Sequence, residues 1–187
     1  MKRPWIEVIE PDRAQGPLKD VYTRTIGSRG ALAEVHKIHS LNPESLDAHM
    51  ILYKTLLYGR SPLHRREREM IAVAVSRSNG CEYCTTHHRE AMARYEKDTA
   101  VLDACEGGEW SKLSERDEAI CAYVEKLTLS PSSMREEDVA ALREAGLSDV
   151  EILDAAQIAA YFNFVNRLVL GLGVPLESPS GRSGFKY

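Results

Sequence analysis

The chain has 187 residues and sets 24 Lys+Arg against 28 Asp+Glu, for a formal net charge of −4. Its 43% hydrophobic content and its length suit one globular domain with a sizeable core. Four cysteines are too few for a disulfide scaffold, and the mild acidity lacks the basic excess of a general nucleic-acid binder.

Residues 1–28 hold Pro4, Pro11, Gly16, Pro17 and Gly27, and read as an extended lead-in with at most short helical pieces. No apolar signal segment stands at the N-terminus, and no window approaches the roughly 18 apolar residues of a membrane span. The expectation is a cytoplasmic protein with no membrane contact. From residue 29 the punctuation is that of consecutive helices. Ala31 to His39 has helical apolar spacing. Asn42-Pro43 pairs a capping residue with proline at the first helical position and opens a helix to about Tyr58. Ser61-Pro62 repeats the signal for a helix that stops at Asn79-Gly80. A helix follows from Cys81 to about Lys97, then a short one from Asp98 or Thr99 to Gly107-Gly108.

Ser114 opens a helix that Pro131 ends, with Ile120, Val124 and Leu127 on one face. Another runs from Ser133 to Ala145. Ser148-Asp149-Val150-Glu151 is a capping-box pattern at the head of the longest helix, which reaches about Leu170. Residues 173–187, with Pro175, Pro179, Gly181 and Gly184, read as a loosely ordered tail. No alternating strand pattern occurs, and Ile71 to Val75 reads as buried helix. The expected fold is all-α, about seven to eight helices over residues 29–172.

The chemistry-bearing segment runs from Glu69 to His88. Cys81 and Cys84 form a C-x-x-C after Asn79-Gly80, so they fall in the first turn of a helix, and His88 follows Cys84 by four residues. At about 100° per residue, Cys81, Cys84 and His88 lie at roughly 0°, 300° and 340° on a helical wheel, one shared stripe. Tyr83 falls near 200° and His87 near 240°, off the stripe. A thiol of pKa about 8.5 is mostly protonated at neutral pH, and a helix N-terminus and an imidazole both favour its anion. Neighbouring thiols can close a disulfide after one is oxidised to a sulfenic acid. A carboxylate and a histidine can move the protons if the fold joins them.

This segment resembles the active site of the alkylhydroperoxidase AhpD and carboxymuconolactone decarboxylase superfamily. Its peroxidase pattern is Glu, eleven residues, Cys-x-His-Cys, three residues, His. Glu69, Cys81, Cys84 and His88 match at that spacing, and Tyr83 stands where well-known members have His. Ser40 to Glu44, Arg66 to Ile71 and Ala160 to Arg167 look like the subgroup called uncharacterised peroxidase-related proteins. The resemblance spans about residues 5 to 175. It implies an all-helical fold, homo-oligomers (trimers or hexamers), and thiol peroxidase chemistry without a cofactor. It also implies that Cys84 attacks a hydroperoxide and Cys81 resolves it, with His88 and Glu69 as proton relay. Tyr83 has a phenol of pKa about 10 and can donate a hydrogen bond but not act as a base at neutral pH. No flavin or nicotinamide fingerprint is present, so a dithiol or thioredoxin-like partner must restore the pair.

Blander readings stand beside these. Cys81, Cys84, His88 and Glu69 can be drawn as a zinc site, although structural zinc usually takes two separated ligand pairs. Glu69 can be a solvated carboxylate among arginines, and His87 reads as an exposed residue. Cys105 and Cys121 read as packing, and His64-Arg65-Arg66-Arg68 as a solvated or salt-bridged face. Asn166 and Arg167 have a place near the site or at a subunit contact. Rival functions are a lactone decarboxylase of the same superfamily and a non-enzymatic redox sensor or interaction module.

Overall fold

A computed structural model describes residues 3–185. Among these there are ten α-helices, eight of them nine residues or longer, and no strand. Three 3-10 turns complete the regular structure. The chain forms two compact units, one of residues Met1–Lys54 with Leu168–Tyr187, the other of Thr55–Arg167.

In the first unit, the segment read as an extended lead-in contains a full helix. Helix α1 spans Gly16–Arg29 and buries Leu18, Val21, Tyr22 and Thr25. The signal was present: Pro17 sits in the first turn, where its missing N–H costs nothing, and Gly30 ends the helix at φ 82°. The N-terminal segment is fastened by the Tyr22 hydroxyl, which donates to Ile9 O (3.0 Å), and by Ile9 N–H, which donates to Ser40 Oγ (2.9 Å). Short helix α2 (Glu34–Lys37) precedes α3 (Pro43–Tyr58), which starts at the Asn42-Pro43 signal. Buried His36, His39 and His49 meet here, with ring centroids 6.2 Å apart for His36–His49 and 4.9 Å for His39–His49. The tail is tied at two points. Glu177 accepts from Glu34 N–H (2.7 Å), and Phe185 is buried after the short helix α10 (Pro179–Arg182). Positions 1–2 and 186–187 of the expected lead-in and tail lie outside the described residues.

The second unit is built around α4 (Arg65–Ser78), which packs against α5 (Glu82–Met92), α6 (Thr99–Gly107) and α7 (Glu115–Leu129). Ten consecutive α4 residues, Glu67 to Ser76, are buried. A helix buried on every side explains the unbroken apolar run Met70 to Val75. It begins three residues later than Pro62 suggests, because Glu67 reaches back to accept the His64 N–H (2.7 Å). Helix α8 (Glu136–Glu144) and the 23-residue α9 (Asp149–Gly171) follow. The capping box at Ser148 is formed: Ser148 N–H donates to Glu151 Oε2 (2.7 Å), and Glu151 N–H to Ser148 Oγ (3.4 Å).

The basic cluster at the head of α4 is the salt-bridged form of the expected face, with Arg68 drawn into the interior. Arg68 is buried and donates to the carbonyls of Gly59 (2.8 Å), Leu63 (3.0 Å) and Leu57 (3.2 Å). It thus satisfies carbonyls at the end of α3 and in the loop that follows it. Arg66 pairs with Asp117 (2.6 Å), and Arg116 bridges Glu67 (2.7 Å) and Glu151 (2.6 Å). Among the described residues no helix is long and apolar enough to cross a membrane.

Candidate active site

All five sequence-selected residues, Glu69, Cys81, Tyr83, Cys84 and His88, lie in the second unit. The end of α4 sets where the cysteines begin. Gly80, at φ 67°, takes the left-handed turn that a side chain would resist. Cys81 N–H then donates back to Ser76 O (2.8 Å), and Gly80 N–H to Arg77 O (2.9 Å). This pair of bonds is the Schellman arrangement, and it fixes Cys81 as the residue that leaves α4 and caps α5. Cys84 is in the first turn of α5, where unpaired N–H groups favour an anion.

A second tie holds the same turn. Asn79 Nδ2 donates to Asn163 Oδ1 (3.0 Å) and Asn166 Oδ1 (2.9 Å), while Asn166 Nδ2 donates to Ser76 Oγ (3.1 Å). Asn166 is fully buried. Asn163 also donates to Thr128 Oγ1 (3.0 Å), and Arg167 donates to Asn163 Oδ1 (2.7 Å). Asn166 therefore acts on the loop before Cys81, and Arg167 only through Asn163. Ser76, Asn79 and Asn163 had no spacing pattern to mark them. Asn79 is legible only as part of the Asn79-Gly80 helix stop, and Asn163 only as a polar residue inside an apolar stretch.

Glu69 is not solvated. It is 0% exposed, and its Oε2 lies 2.6 Å from His88 Nδ1. Its Oε1 is ion-paired with Arg65, one turn earlier on α4. A carboxylate taken wholly out of water needs such partners, since an isolated buried charge is very costly. The Phe162 ring meets the His88 ring edge-on at 4.5 Å and helps fix its plane. With Nδ1 committed to Glu69, Nε2 is the nitrogen left for chemistry. His88 stands four residues after Cys84 on α5, the spacing that makes side chains neighbours on one helix face.

The Cys81 thiol is pulled below the ordinary thiol value. The largest cause is a side-chain hydrogen bond from Cys84, opposed by burial and aided by the Cys84 backbone N–H. Cys81 makes no regular side-chain cap bond, so the thiol–thiol contact dominates. Both cysteines are reduced and buried. Tyr83 is 6% exposed and lies against His87, ring centroids 4.6 Å apart. His87, at 7% exposure, is buried and not the surface residue its wheel position suggested. Among the described residues no group of three or more His, Cys, Asp or Glu is arranged to hold a metal ion.

Residues 43–125 match the carboxymuconolactone decarboxylase family. No curated protein matches the chain. Among solved structures, the alkylhydroperoxidase AhpD core protein from Ralstonia eutropha JMP134, described as peroxidase-related and uncharacterized, is 25% identical, with a TM-score of 0.85 over 97% of this chain and 96% of its own. An uncharacterized peroxidase-related protein from Silicibacter sp. TM1040 is 26% identical, with a TM-score of 0.82 over 97% of both chains. The debrominase Bmp8, solved with 2,3,4-tribromopyrrole, shares the fold at 20% identity and a TM-score of 0.77, over 97% of both chains. The family match over the cysteine-bearing helices, with the all-helical fold of the peroxidase-related structures, supports assigning this chain to the AhpD and carboxymuconolactone decarboxylase superfamily.

Proposed function

We propose that the protein is a cofactor-free thiol peroxidase that reduces hydroperoxides through a Cys84–Cys81 dithiol and disulfide cycle. The observation that carries this reading is the buried Glu69–His88 pair, held one helical turn from Cys84. The Cys84 thiolate attacks the distal peroxide oxygen. The O–O bond breaks, the leaving alkoxide takes a proton from His88, and Cys84 becomes a sulfenic acid. The Cys81 thiolate then attacks that sulfur. Hydroxide leaves as water with the proton that His88 has taken from the Cys81 thiol, and the disulfide stores the oxidation. Glu69 steadies the positive charge on His88 during both steps. Tyr83 is at most an auxiliary hydrogen-bond donor.

An external dithiol or thioredoxin-like protein returns two electrons to the disulfide, and a reducing, cytoplasmic setting suits that cycle. We also propose self-association. Exposed Val150, Leu153, Ala160 and Phe164 follow one another at intervals of three, seven and four residues on α9, which fits packing against the same helix of a second copy.

The test is hydroperoxide consumption with excess dithiol. Cys84→Ser is expected to lose at least about 100-fold in rate, the scale of removing a reacting group. An undiminished rate overturns the proposal. The fold shared with a debrominase makes reductive debromination the competing use of the same dithiol. A brominated pyrrole in the same assay, turned over while hydroperoxide is not, favours that reading.

A further inference from the structure

We infer that Arg65 is a positioning residue for the candidate site, acting on the thiols through Glu69 and His88. The inference deepens the proposed function and rests on its relay. Three contacts fix the guanidinium. One nitrogen, Nη2, pairs with Glu69 Oε1, and the other, Nη1, donates to the Leu57 carbonyl. Its plane lies over the Tyr58 ring, 3.8 Å from carbon to centroid, with the Tyr95 ring at 5.8 Å. Glu69 in turn uses its second oxygen on His88 Nδ1. The chain of contacts Arg65, Glu69, His88 therefore uses each carboxylate oxygen once.

This arrangement sets the charge and the angle of the relay. Arg65 is the cation that compensates a carboxylate 0% exposed to water. Without it the buried carboxylate takes up a proton instead. His88 then loses the anion that supports its protonated form, and the thiolate loses the support of His88. The fork and the aromatic stack are geometry that lysine cannot copy, so charge alone restores part of the effect. Arg68 provides the internal contrast. It belongs to the same basic run and is also buried, but its guanidinium donates to backbone carbonyls.

The experiment is the pH dependence of iodoacetamide alkylation at Cys81 and Cys84, read by mass spectrometry on folded protein. Arg65→Met is expected to move the curve upward by about one pH unit, about a tenfold slower alkylation at pH 7. Arg65→Lys is expected to fall between parent and Arg65→Met. Glu69→Gln is expected to shift the curve in the same direction, and the double variant no further than Glu69→Gln alone. Arg68→Met is expected to lower the melting temperature and leave the curve in place. An unmoved curve for both Arg65 variants overturns the inference. So does a double-variant shift equal to the sum of the singles, because Arg65 then acts independently of Glu69. The peroxidase reading fails separately, if the parent consumes no hydroperoxide while the alkylation curves still move as stated.

Discussion

Two pairs of cysteines sit in the same helical unit, all four are buried, and Cys81 is pushed in the opposite direction to Cys105 and Cys121. Cys81 leaves one helix and starts another, beside the Cys84 thiol and amide, and its pKa falls. Cys105, within α6, is pushed up to about 12, first by burial and then by the Asp117 carboxylate. Cys121, within α7, is driven well above the ordinary thiol value by burial, with Cys105 and Asp117 adding to it. Burial is common to both pairs. What separates them is whether a donor faces the sulfur. At Cys105 and Cys121 burial and a carboxylate outweigh the nearby Arg66 cation and disfavour the anion, whereas a thiol at a helix start faces donors that favour it.

The sharpest way to break this contrast is to exchange which pair matters. Replacing Cys105 and Cys121 by Ala is expected to leave hydroperoxide turnover per folded molecule within about twofold, against the loss of about 100-fold expected for Cys84→Ser. A steady-state peroxide assay on both variants checks it. Equal losses would erase the distinction between the pairs.

A smaller effect tests how the reactive pair is held. Asn166→Ala leaves Asn79 and Ser76 without the buried partner they now share. Unfolding by urea is expected to show a loss of about 1–3 kcal/mol, the cost of orphaning buried polar groups. A change below about 0.5 kcal/mol would mean the amide network does not support the turn before Cys81.

The smallest effect concerns a buried histidine cluster in the other unit. Burial, with neighbouring His39, holds His49 down to about 3, and burial lowers His39 in the same direction. The unfolded chain binds a proton on each near pH 6.5, so it carries more protons than the folded one between about 6.5 and 3. The contribution to stability is whole above about pH 6.5 and declines as pH falls through that window. At pH 5 His49 alone accounts for a loss of about 2 kcal/mol. Urea midpoints at pH 7 and pH 5 measure it, and His49→Leu is expected to flatten the difference. An unchanged slope in that variant would place the acid sensitivity elsewhere.

Local signals made much of this legible in the sequence. Asn42-Pro43, Ser114 and Ser148 each stand at the start of an observed helix, because capping is decided by residues within one turn. The C-x-x-C at a helix start and His88 on its face follow from helical spacing alone. Glu69 was marked by the resemblance, but its complete burial and its bond to His88 needed the packing of α4 against α5. Helix α1 was overlooked because Gly16-Pro17 reads equally as a turn or as a helix start. Arg65, Arg68 and the Asn79–Asn166 contact were hidden for a different reason. Arg65 and Arg68 donate to backbone carbonyls, which leave no mark in the sequence, and Asn166 is far along the chain from Asn79, so polar residues at such positions look like surface in a one-dimensional pattern. His87 shows the same limit, since its neighbour Tyr83 and the surrounding packing bury it.

The central claim is that Cys81 and Cys84 act as one redox unit while Cys105 and Cys121 do not take part. Thiol counting by mass spectrometry, before and after one equivalent of hydroperoxide, tests it most directly. The account predicts the loss of two thiols and a disulfide peptide joining Cys81 to Cys84. Retention of all four thiols, or oxidation at Cys105 or Cys121 in their place, would contradict it.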